Sequence, residues 1–147
     1  MKLSTRGQYG TRMLLDLALH HSEEPVLLKD IAHRQQIPLP YTKRLIGPLI
    51  AGGLVRSTRG IKGGVLLAKS PDRIKLKEVI GLLEGRIALV KCVNNPNICY
   101  RSQFCVTRDI WTDLSKAMDE ILESTTLHDL VERYRMKERS ESRMYYI

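Results

Sequence analysis

Aromatic residues are scarce in this chain of 147 residues: six Tyr, one Trp and one Phe. So few leave no stacking platform of the kind that reads single-stranded RNA. No run approaches the ~20 apolar residues of a membrane span. The opening Met1-Lys2-Leu3-Ser4 lacks the apolar stretch of a secretory signal, so a cytoplasmic location and no membrane partner are expected. Catalytic patterns are missing too. There is no Ser/His/Asp set, no nucleotide-binding glycine loop and no paired acids in a recognisable motif, so an enzyme is not expected. Gly60 to Gly64 is too short and too basic for a Walker loop. Cysteine is limited to three residues, an odd count that argues against a disulfide framework.

What is present is positive charge, unevenly placed. The net charge is +8. Residues 1–70 hold eleven Lys+Arg against four Asp+Glu, a balance of +7, and residues 71–147 hold thirteen against twelve, a balance of +1. A basic half suits a polyanion, because neutralised phosphates release counterions.

Hydrophobic spacing predicts a mainly α chain with one small β-hairpin. A first helix is expected from about Ser4, its N-cap, to His20, and a second from Leu28 to Gln35. Gln36-Ile37-Pro38 turns the chain into a third, Pro40 to Ala51, stopped by Gly52-Gly53. Pro48 inside that helix predicts a kink or an irregular second half. Leu54–Ser57 and Val65–Ala68 flank seven glycine-rich, basic residues and read as a hairpin. A fourth helix is expected over 76–83, mostly loop over 85–104, and a long amphipathic helix over 106–123. Thr126-x-x-Asp129 matches a capping box, opening a short helix that ends near Arg135. The chain then divides into a winged helix-turn-helix region (1–70), a cysteine loop with long helices (71–135) and a flexible tail (136–147).

Two short helices, a tight turn and a basic hairpin are the layout of a winged helix-turn-helix, whose second helix enters the major groove by its N-terminal residues. Here those are Pro38, Pro40, Tyr41, Thr42, Lys43 and Arg44. Arg and Lys can donate to guanine, and a Thr methyl can meet thymine. In the hairpin tip Arg59 and Lys62 stand among glycines that let a backbone approach phosphates, and an arginine on a slim loop can enter a minor groove. Arg6 and Arg12 add anchoring to the DNA backbone.

Cys92, Cys99 and Cys105 follow the spacing C-x6-C-x5-C. Thiolates are soft ligands for iron–sulfur clusters, zinc or copper(I), and the paired C-x-x-C of structural zinc sites is missing. Lys91, Arg101 and Arg108 flank the thiols and favour the thiolate. A 2Fe–2S cluster needs four protein ligands, so a fourth must come from a His, a carboxylate or another chain. His128 and Asp109 lie nearby in sequence, whereas His20, His21 and His33 belong to the DNA-binding half. Two other readings stand beside the cluster: a metal-free thiol switch on the same DNA-binding protein, and a small electron-transfer iron–sulfur protein.

Three segments carry a resemblance: Met1 to Ala18; Gly53-Leu54-Val55-Arg56-Ser57 with Arg59-Gly60-x-x-Gly63-Gly64; and Cys105-Val106-Thr107-Arg108-Asp109-Ile110-Trp111-x-Asp113-Leu114. Together they resemble the IscR/NsrR-type iron–sulfur winged-helix transcription regulators over residues 1–135. The resemblance implies a homodimer joined by the helix near 106–123 and acting on palindromic promoter operators in double-stranded DNA. It also implies a 2Fe–2S cluster on Cys92, Cys99 and Cys105, and base reading by Pro40, Tyr41, Lys43 and Arg44 with Arg59 in the wing. Three positions depart from the pattern. Arg108 stands where the biogenesis regulators carry a histidine ligand. Gln8 stands where the nitric-oxide sensors carry an acid, and Lys43 where the biogenesis regulators carry a glutamate.

Overall fold

Residues 2–146 are described by a computed structural model. Helix α1 spans Thr5–Leu19, with the Ser4 side chain accepting the Gly7 N–H as N-cap. Its buried face is Met13, Leu14, Leu17 and Ala18. Helix α2, Leu28–Gln35, ends where Gln36 takes the left-handed conformation at φ 52°. The Ile37 N–H then returns to the Ala32 carbonyl at 2.9 Å, satisfying a free helix-end acceptor and reversing the chain within a few residues. Buried Ile37 plugs the corner.

Helix α3 spans Leu39–Ala51. Pro40 sits in its first turn, where a missing N–H costs nothing. At Pro48, where a kink or an irregular second half was expected, the helix runs on as a single element to Ala51. Pro48 lies in the last turn, so the bond it removes would have gone to exposed Arg44, where water can serve the carbonyl. Leu45, Ile46 and Leu49 face inward.

Strands β1 (Val55–Thr58) and β2 (Gly64–Leu67) pair antiparallel, Val55 opposite Leu67 and Thr58 opposite Gly64. The tip is therefore five residues, 59–63, shorter than the seven expected. Gly63 is required there: a Cβ would lie 2.6 Å from the Thr58 carbonyl oxygen. Val26 and Val65 exchange backbone bonds of 2.9 and 2.8 Å, tying the hairpin to the entry of α2.

After a 3-10 turn at Pro71–Arg73, α4 runs over Leu76–Glu84, α5 over Lys91–Asn94, α6 over Val106–Ser124 and α7 over Leu127–Met144. Buried Ile74, Val79, Leu83, Leu127 and Val131 join Met13, Leu14 and Leu17 in one cluster. The core thus crosses residue 70, where a boundary was expected. Each such Leu or Met contributes roughly 1.5–3 kcal/mol by leaving water. α7 starts at the expected capping box, locked to the body by Leu127 N–H on the Ile74 carbonyl at 2.8 Å.

One expectation changes. Residues 136–144, expected as flexible tail, continue α7, because nothing after Arg135 breaks a helix; Ile147 lies outside the described residues. The stretch 85–104 is mostly loop, as expected, interrupted by the short α5 and a 3-10 turn at Pro96–Ile98. Short-range side-chain bonds, invisible to periodicity, hold it: Asn95 accepts the Asn97 N–H at 3.2 Å, and buried Ser102 donates to the Pro96 carbonyl at 2.7 Å. Among the described residues no helix is long and apolar enough to cross a membrane.

Candidate functional site

The basic surface is built on the α2–turn–α3 corner. Pro40, Lys43 and Arg44 are exposed on the first turns of α3, and Tyr41 is half-buried. Arg59 and Lys62 are exposed at the wing tip, and Arg6 at the start of α1. Thr42 is corrected: it is fully buried, and its hydroxyl donates to the Pro38 carbonyl at 3.2 Å. It therefore cannot offer its methyl to a base. At i, i+3 and i+7 with Leu45 and Leu49, position 42 falls on the helix face that meets the core.

Side-chain packing orients the exposed rim. The Tyr9 and Tyr41 rings meet edge to face, centroids 5.7 Å apart at 85°. The Arg44 guanidinium lies 5.1 Å from the Tyr41 ring centre, and that of Arg12 lies 5.4 Å from the Tyr9 ring. Cation–π and aromatic contacts of this kind restrict long side chains before any ligand arrives. Arg12 also donates to the Gln35 carbonyl at the end of α2. The line Arg12–Tyr9–Tyr41–Arg44 joins α1 to α3.

Beneath it lies a carboxylate that hydrophobic patterning missed. Asp16 is 1% exposed and accepts from Arg34 at 2.7 and 3.0 Å and from the Gln35 amide at 3.0 Å. The Arg34 guanidinium is held even further above its ordinary pKa, chiefly by that bond. A buried charge survives only when paired and bonded, so Asp16 fixes α2 on α1 next to the turn. The signal was legible: an acid between Leu15 and Leu17 on an apolar face demands a cation. Glu84 was missed too; from the end of α4 it accepts the Gly7 N–H at 2.9 Å, a second cap for α1.

Cys92 lies in α5, Cys99 follows the 3-10 turn, and Cys105 is the N-cap of α6; all three are half-buried. The Cys105 thiol is held below its ordinary pKa, first by a hydrogen bond with Thr107 (3.2 Å), then by the Arg108 backbone N–H, with the Arg101 charge a smaller contribution. Hydrogen bonding thus outweighs the flanking charges that were expected to do this. Arg108 instead straps the loop, its Nε–H donating to the Cys92 carbonyl at 3.0 Å. By donor type three thiols suit an iron–sulfur group. By placement the single chain does not preassemble them: among the described residues no three Cys, His or acid side chains form a metal-holding group.

Helix α6 has no buried residue among those described. Its side toward α4 carries half-buried Arg108, Thr112, Ser115, Met118 and Leu122. The opposite side exposes Val106, Ile110, Leu114 and Ile121.

A helix-turn-helix with a basic recognition helix and a basic wing defines the class of winged-helix DNA-binding transcription regulators. The family model described as Rrf2, iron-dependent transcriptional regulator, matches residues 3–133, and the chain belongs to that family. It is 46% identical to protein rrf2 of Nitratidesulfovibrio vulgaris over 131 residues, 89% of this chain and 87% of that one. Among solved structures it is similar to CymR, the global cysteine regulator of B. subtilis, with TM-score 0.78 and 36% identity over 90% of this chain and 98% of that one. T. potens IscR gives TM-score 0.75 and 39% identity over 91% and 88%.

Proposed function

We propose that this transcription regulator acts as a homodimer on a roughly palindromic operator, and that the loop 92–105 is its sensor. The unburied apolar seam of α6 carries the first part. Ile110, Leu114, Ala117 and Ile121 recur at spacings of four, three and four, the repeat with which two helices interlock. Left in water this stripe has no stabilising role; against a second copy it does. A two-fold dimer places its recognition helices about one helical turn of DNA apart, or a multiple of it. Lys43 and Arg44 contact base edges, Pro40 and Tyr41 shape the approach, and Arg59, Lys62 and Arg6 hold phosphates or a minor groove.

For the sensor, Cys92, Cys99 and Cys105 are the residues that would hold a 2Fe–2S cluster. The cluster would supply a redox- and nitric-oxide-sensitive group whose loss changes the constraint on the loop. The loop ends in the N-cap of α6, so its conformation reaches the dimer seam directly. Arg108 and Gln8 stand where the resemblance puts a histidine or an acid as fourth ligand, and supply neither. A second reading, a metal-free thiol switch, is supported by the lack of any metal-holding trio of Cys, His or acid side chains among the described residues and by the likeness to CymR, a cysteine regulator.

Anaerobic purification followed by visible absorption, with iron and sulfide assay, separates the two. Bands that vanish in Cys92→Ala, with about two irons and two sulfides per chain, support the cluster. A colourless, iron-free wild type that still footprints its operator supports the thiol switch.

A further inference from the structure

A cavity of about 650 Å³ opens between α4 and α6 beside the cysteine loop. Small-molecule sites fall at about 300–1,000 Å³. Ile80 and Gly81 of α4 form one side, Ser115, Lys116 and Leu122 of α6 the other, and Arg86 and Ile87 stand at the end of α4. Two features give it a chemical preference.

The first is charge. Lys77, Arg86 and Lys116 line the cavity with a single carboxylate, Asp119. Lys77 already pairs with Asp119 at 3.3 Å and Glu123 at 3.7 Å. Arg86 and Lys116 have no acidic partner among the described residues. The second is a glycine that packing does not require. Gly81 lies inside α4, where glycine is unfavourable relative to alanine, yet a Cβ placed on it meets nothing within 4 Å. Gly81 is exposed at the open rim of the cavity, where a long side chain would overhang the opening. The apolar lining, Ile80, Ile87, Val93 and Leu122, suits hydrocarbon.

We propose that this cavity binds a small aliphatic carboxylate, its anionic end between Arg86 and Lys116 and its chain against Ile80, Ile87 and Leu122, and that occupancy biases DNA binding. The route is physical. α4 packs on α1 and caps it through Glu84 on the Gly7 N–H, next to Arg6, while α6 carries the dimer seam. A ligand touching both helices favours one placement of α4 on α6, and DNA affinity shifts by the coupling between the two. The site uses no thiol, so its test stands or falls apart from the sensor reading.

The test uses the full chain, with hexanoate as probe and hexan-1-ol and inorganic phosphate as controls, read by thermal unfolding and calorimetry. Hexanoate is expected to bind saturably at millimolar concentration and raise Tm, as any ligand selective for the folded state does; the alcohol and phosphate are expected to do neither. The double variant Arg86→Gln, Lys116→Gln weakens binding roughly tenfold or more. Gly81→Leu, which fills open space, abolishes binding while its circular dichroism and unliganded Tm stay at or above wild type. Operator affinity, followed by fluorescence anisotropy, shifts with hexanoate in wild type and not in Gly81→Leu. Absence of saturable hexanoate binding overturns the proposal. So does equal binding of phosphate or hexanol, unchanged binding in Gly81→Leu, or an operator affinity indifferent to hexanoate.

Discussion

The helix-turn-helix and the cysteine-loop region differ in how complete one chain makes them. In the first, Ile31, Ile37, Leu45 and Leu49 are buried, the Asp16 carboxylate is fully bonded, and the basic side chains stand on braced aromatic rings. In the second, α6 buries nothing and the three thiols form no metal-holding group among the described residues. A preassembled surface binds rigid DNA with little ordering cost. Under the proposed function, a region left unfinished responds because a second copy, a metal or an oxidant would complete it differently. The division of labour lies in where burial stops.

The sharpest way to break that contrast is to charge the exposed face of α6, the proposed dimer seam. The double variant Leu114→Asp, Ile121→Asp puts charges on the exposed seam without touching the core. A monomer by sedimentation is expected, with operator affinity lower by about 100-fold or more as the second half-site becomes an independent event. Circular dichroism of the winged helix is expected to stay native. A dimer that survives both charges removes α6 as the interface.

Next in size is the brace under the reading head. Arg34→Met leaves Asp16 buried with only the Gln35 amide and its His20 neighbour. Breaking a buried pair costs about 3–5 kcal/mol; Arg34 is about one-third exposed, so a loss of about 2–3 kcal/mol is expected in denaturant unfolding. Unchanged stability means Asp16 is neutralised some other way. A smaller, opposite pair of outcomes separates Arg44 from Thr42. Arg44→Ala is expected to weaken the operator by about 1–3 kcal/mol and relax preference at one base pair. Thr42→Val, being buried, is expected to leave base preference alone, as binding-site selection with both variants can determine.

Much of this was legible before any coordinates. The hydrophobic periods placed α1, α2, α3, α4 and α6 within a residue or two, Ser4 and Thr126 marked helix starts, and glycines marked the wing. What escaped shares a cause: it depends on residues distant in sequence or on local polar bonds. The Asp16–Arg34 pair, the Tyr9–Tyr41 contact and the Glu84 cap each join separate elements. The turns at 91–98 rest on Asn95 and Ser102. Thr42 was misplaced because residue type suggested a base contact while its helical phase pointed inward. The α7 extension escaped because a charged helix has no apolar stripe to announce it.

The smallest effect probes how firmly α7 closes the complete half. Asp129 accepts the Thr126 backbone N–H at 2.7 Å and its hydroxyl at 2.9 Å. These bonds hold its carboxyl below the usual aspartate value, with nearby His128 and Arg133 adding little. A carboxyl whose folded pKa is depressed stabilises the fold above its unfolded value, near pH 3.9. That contribution fades as pH falls through the folded pKa. Asp129→Asn is therefore expected to lower Tm slightly at pH 7, and the gap to wild type is expected to shrink as the pH drops below about 4. Since Leu127 and Val131 of the same helix are core residues, fraying at this cap loosens the body on which α1 sits. A gap that stays constant down to acid pH means Asp129 holds the cap by shape rather than by charge.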